Sequence, residues 1–249
     1  GHNRNLGWTN TVNRPDLIDV YKLVLNEAGD KYRFDGKWLA LDTKRVWLPV
    51  KFGPFTLPVP QTVYRSVHGP VIKNERGAFA IRYAGIDNVK LVEQYYRNTK
   101  ARNWEEWAKS MAIGGIPATN FIYADKTGRV AYIYNALFPD RKPGFDYTQE
   151  LPGDTSQALW NGPVEFDRYP KIVDPASGFV QNANNNPFLA AGPGSEMKPS
   201  DYSPYLGIEL GMTNRGLRAT ELLSADRSIT PEELLAIKMD TIYSKKSWV

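Results

Sequence analysis

Between about Pro139 and Tyr205 the sequence has no period. The stretch is rich in Gly, Pro, Asn and Asp and shows neither the 3.6-residue repeat of a helix nor a strand's sustained alternation. A segment that long without elements of its own must wrap around something or carry function. Nothing covalent can staple it, because the chain contains no cysteine. That excludes disulfides, thiolate catalysis and Cys-ligated zinc together. The chain is therefore expected to be held by packing and hydrogen bonds around elements lying on either side of this stretch.

The residues before it read as strands. Tyr32 to Leu39 is a hairpin, with Asp35-Gly36 supplying the positive φ that a tight turn needs. Val63 to Ile72 reads as a strand broken at Gly69-Pro70, and Ala78 to Tyr83 as another. Phe121 to Ala124 and Arg129 to Tyr134 flank the turn Asp125-Lys126-Thr127-Gly128. Trp47 to Pro60, interrupted by prolines, reads as an edge strand or loop. Helices are fewer and well punctuated. Asn103 caps one carrying Trp104, Trp107, Ala108 and Met111 on one stripe, with Glu106 three residues past the cap and Gly114-Gly115 ending it. Arg215 to Leu223 is a shorter one. Thr230-Pro231-Glu232-Glu233 starts a third, which carries Leu234, Leu235, Ile237 and Met239.

Charge excludes some partners. The net charge is +4 with cations scattered among acids, and no basic run supports a nucleic-acid groove. No apolar run approaches the ~20 residues that span a bilayer. No leader-like segment is present, and the chain opens on Gly-His-Asn rather than Met. His2 and His68 are the only histidines, which leaves a His-based zinc site or a Ser-His-Asp triad without support.

Three constellations could carry chemistry. Asp16 and Asp19, flanking Leu17-Ile18, offer oxygens to a hard cation such as calcium, although that ion takes six to eight of them. A turn followed by a solvent-facing strand explains the same acids. The amide run from Gln181 to Asn186 can satisfy its own loop. It can also aim a side-chain N–H at a developing oxyanion, a contact worth roughly 3–4 kcal/mol. Arg215 and Arg218 could orient that loop or hold a carboxylate, or could form a solvated helix face. No residue stands out as a nucleophile with a base beside it.

Five segments in order also carry a family resemblance. They are GHNRNLGWTNTVNRPDLIDVYKL at the start, VYRSVHGPVI, NFIYADKTGRVAYIYNALFPDR, PKIVDPASGFVQNANNNP and NRGLRATELL. Together they cover nearly all of residues 1–225 and resemble the penicillin acylase (penicillin amidase) family of N-terminal-nucleophile hydrolases, which includes acyl-homoserine-lactone and cephalosporin acylases. The resemblance implies an α+β fold, part of the four-layer αββα sandwich of those hydrolases. Residues 1–249 would form a single partial domain, an internal fragment of the large (beta) chain. It implies an autoproteolytic zymogen, and hydrolysis of an acyl side-chain amide through an acyl-enzyme on an N-terminal Ser outside this chain, so that the fragment alone is inactive. Partners would be a small-molecule amide substrate, the alpha chain and the rest of the beta chain, in the periplasm or secreted.

Carried over by position, the Val12 backbone N–H and the Asn184 side-chain amide would form the oxyanion hole, with Arg215 behind them. Thr119 and Arg14 would face the acyl pocket. Asp16, the carbonyls of Ile18 and Tyr147, Asp19 and Glu196 would ligate a structural calcium, with Asp201 as the alternative to Glu196. No organic cofactor is implied. Two rival readings remain: a catalytically inactive acylase homologue, and a carbohydrate- or ligand-binding β-rich module marked by aromatics on one flat face.

Overall fold

Strand alternation sets the first element. In Leu6–Thr11 (β1) Leu6 and Trp8 are buried while their neighbours are not. The computed structural model describes residues 1–248. It contains twelve strands, four α-helices and four short 3₁₀ turns, an α+β chain. The remaining strands are β2 (Ile18–Leu23), β3 (Lys31–Phe34), β4 (Lys37–Ala40), β5 (Asp42–Phe52), β6 (Phe55–Ser66), β7 (Gly69–Asn74), β8 (Gly77–Tyr83), β9 (Ala118–Asp125), β10 (Val130–Ala136), β11 (Leu151–Pro152) and β12 (Lys171–Val173). The helices are α1 (Leu91–Lys100), α2 (Trp104–Met111), α3 (Asn214–Ala225) and α4 (Pro231–Met239).

The chain that reads as one partial domain in sequence divides into two compact units. The first comprises residues 1–16, 87–138 and 163–249, and the second residues 17–86 and 139–162. In the first, a four-stranded sheet runs β1-β9-β10-β12. Six of the seven residues of β10 are buried, as a central strand covered on both faces should be. Helix α2 packs on β9 through Trp107, whose ring lies 5.7 Å from Phe121 and 5.1 Å from Tyr123, in the spacing of aromatic pairs. Its cap is as expected, the Asn103 side chain accepting from the Glu106 N–H at 2.9 Å. Thr230 caps α4 within a full capping box. That helix buries none of its residues, leaving Leu234, Leu235 and Met239 exposed.

The second unit holds a six-stranded sheet in the order β11-β2-β8-β7-β6-β5 and the β3–β4 hairpin. That hairpin turns on Asp35 and Gly36, both at positive φ. The expected break at Gly69-Pro70 falls elsewhere: those residues begin β7, and the turn is Val67-His68. The segment from Trp47 to Pro60, expected to be an edge strand or loop, holds part of the edge strand β5 and part of its partner β6. β5 and β6 pair along their whole length, and β5 is the sheet edge. Because β7 pairs only with Tyr64–Ser66, the distal part of this hairpin is a two-stranded ribbon. Register and alternation put Val46, Leu48, Val50 and Phe52 on one face with Phe55, Leu57 and Val59. None of these seven is buried.

His68 is a core residue. It is 1% exposed, stacks on Tyr21 at 4.3 Å and holds the Gly153 carbonyl through Nε2 at 3.0 Å. Burial pushes its pKa down, so it packs as a neutral ring.

The aperiodic stretch does wrap. It donates one edge strand to each sheet, β11 beside β2 and β12 beside β10. It also supplies buried Trp160 to the second unit and Tyr169 to the first.

Gly69 tests the β6–β7 turn. Its φ is +140°, and a Cβ there would lie 2.1 Å from the Ile81 carbonyl oxygen. Gly69→Ala should lose roughly 1–3 kcal/mol through backbone strain, with the clash added. Gly29→Ala, at φ +69° with open space around it, should lose only the ~1–2 kcal/mol of a left-handed alanine. Urea unfolding of the two variants should therefore place the Gly69→Ala midpoint clearly below that of Gly29→Ala.

Candidate active site

The polar residues at the end of β1 converge with the Asn loop. Val12 follows the last paired residue of β1 and is 63% exposed, so its amide lies outside the strand ladder. Its carbonyl accepts the Asn184 Nδ2 at 3.0 Å and the Asn120 Nδ2 at 3.3 Å. The Asn184 Oδ1 accepts from the Arg215 guanidinium at 2.8 Å. With its oxygen facing Arg215, the amide turns its nitrogen toward Val12. Val12, Asn184 and Arg215 thus stand in one line of contacts, within the first unit.

Local folding explains this placement. Asn184 sits at φ +63°, a left-handed conformation that Asn tolerates better than most residues. Thr213 caps α3 by accepting the Gly216 N–H at 3.0 Å, and its hydroxyl donates to the Ala183 carbonyl at 3.1 Å. The cap that starts α3 therefore also fixes the loop that Arg215 reaches. Gly216 allows the close approach, since a Cβ there would meet the Asn185 Oδ1 at 2.8 Å.

Beneath this line lies a half-buried polar node that joins Asn182 of the amide run to Thr11 and the buried Asn120. The Asn182 Oδ1 receives the Thr11 hydroxyl at 2.5 Å, the Asn120 Nδ2 at 3.1 Å and the Asn184 N–H at 2.9 Å. The Asn120 Oδ1 accepts the Tyr132 hydroxyl at 2.7 Å. Burial raises the Tyr132 pKa well above its usual range, so this hydroxyl stays a donor. The signal available in sequence is Asn120 itself, an amide placed directly before Phe121 in a strand-forming run.

The other expected residues divide. Thr119 lies in the same neighbourhood, its hydroxyl donating to the Thr11 carbonyl at 2.9 Å. Arg14 is exposed, and its N–H donates to the half-buried Glu209 carboxylate at 3.1 Å. The second Glu209 oxygen accepts the Tyr134 hydroxyl, and burial pushes this carboxyl's pKa up. Arg218 does not join the Asn loop, being engaged by Asp240 at 3.0 and 3.1 Å. A groove of about 1670 Å³ between the Asn loop and α3–α4 is lined by Arg215 and Arg218, but by neither Val12 nor Asn184.

Of the residues proposed for calcium, Asp19 is already engaged by protein groups. Asp19 is 1% exposed, and both its oxygens are taken. Arg141 reaches them at 2.8 and 3.1 Å, and the Trp160 indole donates to one at 2.6 Å. A guanidinium thus neutralises the carboxylate that the ion would need. In the same unit, the Tyr147 hydroxyl accepts from the Lys142 N–H, and its ring lies 5.2 Å from the Arg141 guanidinium carbon. In the first unit Glu196 is exposed and accepts from the Gly194 N–H, while the Asp16 N–H donates to the Gly207 carbonyl. The carboxylate of Asp201, the alternative ligand, accepts from the Lys198 N–H. Among the described residues no three His, Asp or Glu side chains gather to hold a metal. Arg141, 122 positions beyond Asp19, carries the compensating charge.

The family model for penicillin amidase matches residues 1–248. The chain belongs to the penicillin amidase family. It is 31% identical over 193 residues to penicillin G acylase of Escherichia coli, covering 75% of this chain and 22% of that protein. It is 27% identical over 271 residues to the acyl-homoserine lactone acylase PvdQ of Pseudomonas savastanoi pv. phaseolicola, covering 96% of this chain and 34% of that one. Its fold matches a thermostable penicillin G acylase from Alcaligenes faecalis with a TM-score of 0.76 at 24% identity, over 95% of this chain and 41% of that chain. The chain thus spans between about a fifth and two fifths of these relatives' lengths. The α+β fold expected of an N-terminal-nucleophile hydrolase is the one observed.

The ion pair yields a prediction that separates it from a calcium centre. Asp19→Asn should cost about 3–5 kcal/mol, because it leaves a buried guanidinium uncompensated. A chelator should leave the melting temperature of the unmodified protein where it is. A chelator-induced fall reversed by calcium would restore the metal reading.

Proposed function

We propose that this chain supplies the oxyanion-stabilising part of an amidase that cleaves an acyl side-chain amide of the penicillin, cephalosporin or acyl-homoserine-lactone type. The observation that carries this is the contact line from Arg215 through Asn184 to Val12. When an acyl amide is attacked, charge develops on its carbonyl oxygen, and preorganised N–H donors there lower the barrier. Val12 offers a main-chain N–H outside the ladder, and Asn184 offers an amide whose orientation Arg215 fixes. Thr119 and Arg14 would contact the acyl group from beside them.

The attacking group is an N-terminal Ser supplied by a part of the enzyme other than these residues and released by autoproteolysis, with its own amine as base. The buried, neutral His68 offers no substitute base. The alpha chain and the remainder of the beta chain would be the partners, in the periplasm or outside the cell. No helix among the described residues is long and apolar enough to cross a membrane.

Two measurements test this. In the full-length natural protein, Asn184→Ala should lower kcat by on the order of 10²–10³, the loss of one oxyanion donor; a near-normal rate removes Asn184 from the site. A preparation shown by mass spectrometry to contain residues 1–249 alone should not turn over phenylacetyl or long-chain acyl amides. Turnover there would mean that the nucleophile lies within this chain.

A further inference from the structure

The segment that carries the Val12 N–H is pinned at successive residues. The Val12 carbonyl is held by Asn184 and Asn120. The buried Asn13 side chain donates to the Asn135 carbonyl on β10 at 3.0 Å. The Arg14 N–H donates to Glu209 Oε1 at 3.1 Å, and Oε2 of the same carboxylate takes the Tyr134 hydroxyl, again from β10. Pro15 follows and disfavours helical backbone at Arg14. Two residues before Glu209, the Gly207 carbonyl accepts the Asp16 N–H at 2.8 Å.

The loop carrying Glu209 has a second attachment. The Asn186 Nδ2 donates to the Leu210 carbonyl at 2.9 Å and to the Gly211 carbonyl at 3.1 Å. Residues 207–211 are therefore stitched on one side to the Val12 segment and on the other to the loop bearing Asn184. Glu209 is the side chain that makes the first of these attachments while anchored on β10.

We propose that Glu209 is a positioning residue: its carboxylate, bridging the Arg14 N–H and the Tyr134 hydroxyl, sets the spacing between the Val12 N–H and the Asn184 amide. This rests on the reading of those two groups as oxyanion donors. The groups facing the carboxylate are Arg14, Tyr134 and, through its charge, Tyr132. Burial raises its pKa. Without the carboxylate, the Arg14 N–H and Tyr134 hydroxyl lose their acceptor and the Val12 segment loses its tie to β10 on that side. A displacement of ~1 Å at a reacting centre is enough to cost on the order of 10²-fold in rate.

The test uses the full-length natural protein. Glu209→Ala should lower kcat by about 10–100-fold with KM nearly unchanged, because the defect lies in transition-state geometry rather than substrate contact. Glu209→Gln, which keeps an oxygen for the Arg14 N–H, should recover most of the rate. Tyr134→Phe should fall between the two. The affinity of an alkyl boronic acid, whose adduct carries the tetrahedral oxyanion, should fall in parallel with kcat/KM, while the affinity of the product carboxylate stays constant. If Glu209→Ala does not fold, the Gln and Phe variants carry the same test, and normal kcat in both overturns the proposal. A raised KM with unchanged kcat also overturns it, since Glu209 would then be touching substrate. Asn184→Ala measured alongside separates the two readings. If it collapses the rate and the Glu209 variants do not, the positioning role fails and the amidase reading stands. If neither matters in an active enzyme, the oxyanion assignment itself is wrong.

Discussion

One amide oxygen holds the site together. The Asn182 Oδ1 takes donors from β1, from β9 and from its own loop: the Thr11 hydroxyl, the Asn120 amide and the Asn184 N–H. Its nitrogen donates to the Asn185 carbonyl at 3.0 Å. An oxygen filled in this way leaves the loop little freedom, because it ties three segments to one point. The left-handed turn at Asn184 and the aim of its amide both follow from this node. Polar networks of this kind specify one geometry when every member is paired.

How far this was legible depends on the type of signal. Turns and caps were readable because they rest on local chemistry: Asp35-Gly36, Asn103 and Thr230 all behave as their residue types require. Helix α1 escaped because the two residues it buries are Gln94 and Asn98. Gln94 is inside because its Oε1 accepts the Gly115 and Ile116 N–H groups. Hydrophobic periodicity cannot detect a helix whose inner face is polar. At the site, the amide run pointed equally to a self-satisfying loop and to an oxyanion donor, and the residues show both uses at once. Asn182, Asn185 and Asn186 satisfy loop backbone, while Asn184 reaches out to Val12. The resemblance to a family, rather than spacing, singled out Asn184 and Arg215.

The acids after β1 show the opposite case. Two carboxylates three residues apart suggest a cation, and the buried Asp19 does have one. The cation is a guanidinium delivered from Arg141, in the aperiodic stretch. Local spacing can indicate that a charge needs compensation, but not which distant residue provides it. A bidentate arginine also brings planar directionality that a metal ion lacks. Here that geometry goes with the Trp160 indole on the same carboxylate. The stretch without period thus has a physical use: it closes the free edges of β2 and β10 and carries a charge into the second unit's core.

The ribbon formed by β5 and β6 raises a different matter, that of propagation. An exposed pair of strands with an apolar face is the sort of template on which further chains stack. Its register places Pro49 opposite Pro58 and Trp47 opposite Pro60. Two prolines can face each other only at a non-bonded pair, where main-chain nitrogens point away from the partner strand. Pro60, two residues along from Pro58, falls on the same parity. The missing N–H groups are therefore those of the ribbon's two outer rims. An incoming strand would find gaps in the donor row on either side. The ribbon can keep its greasy face without becoming a seed, because its rims have been chemically blunted.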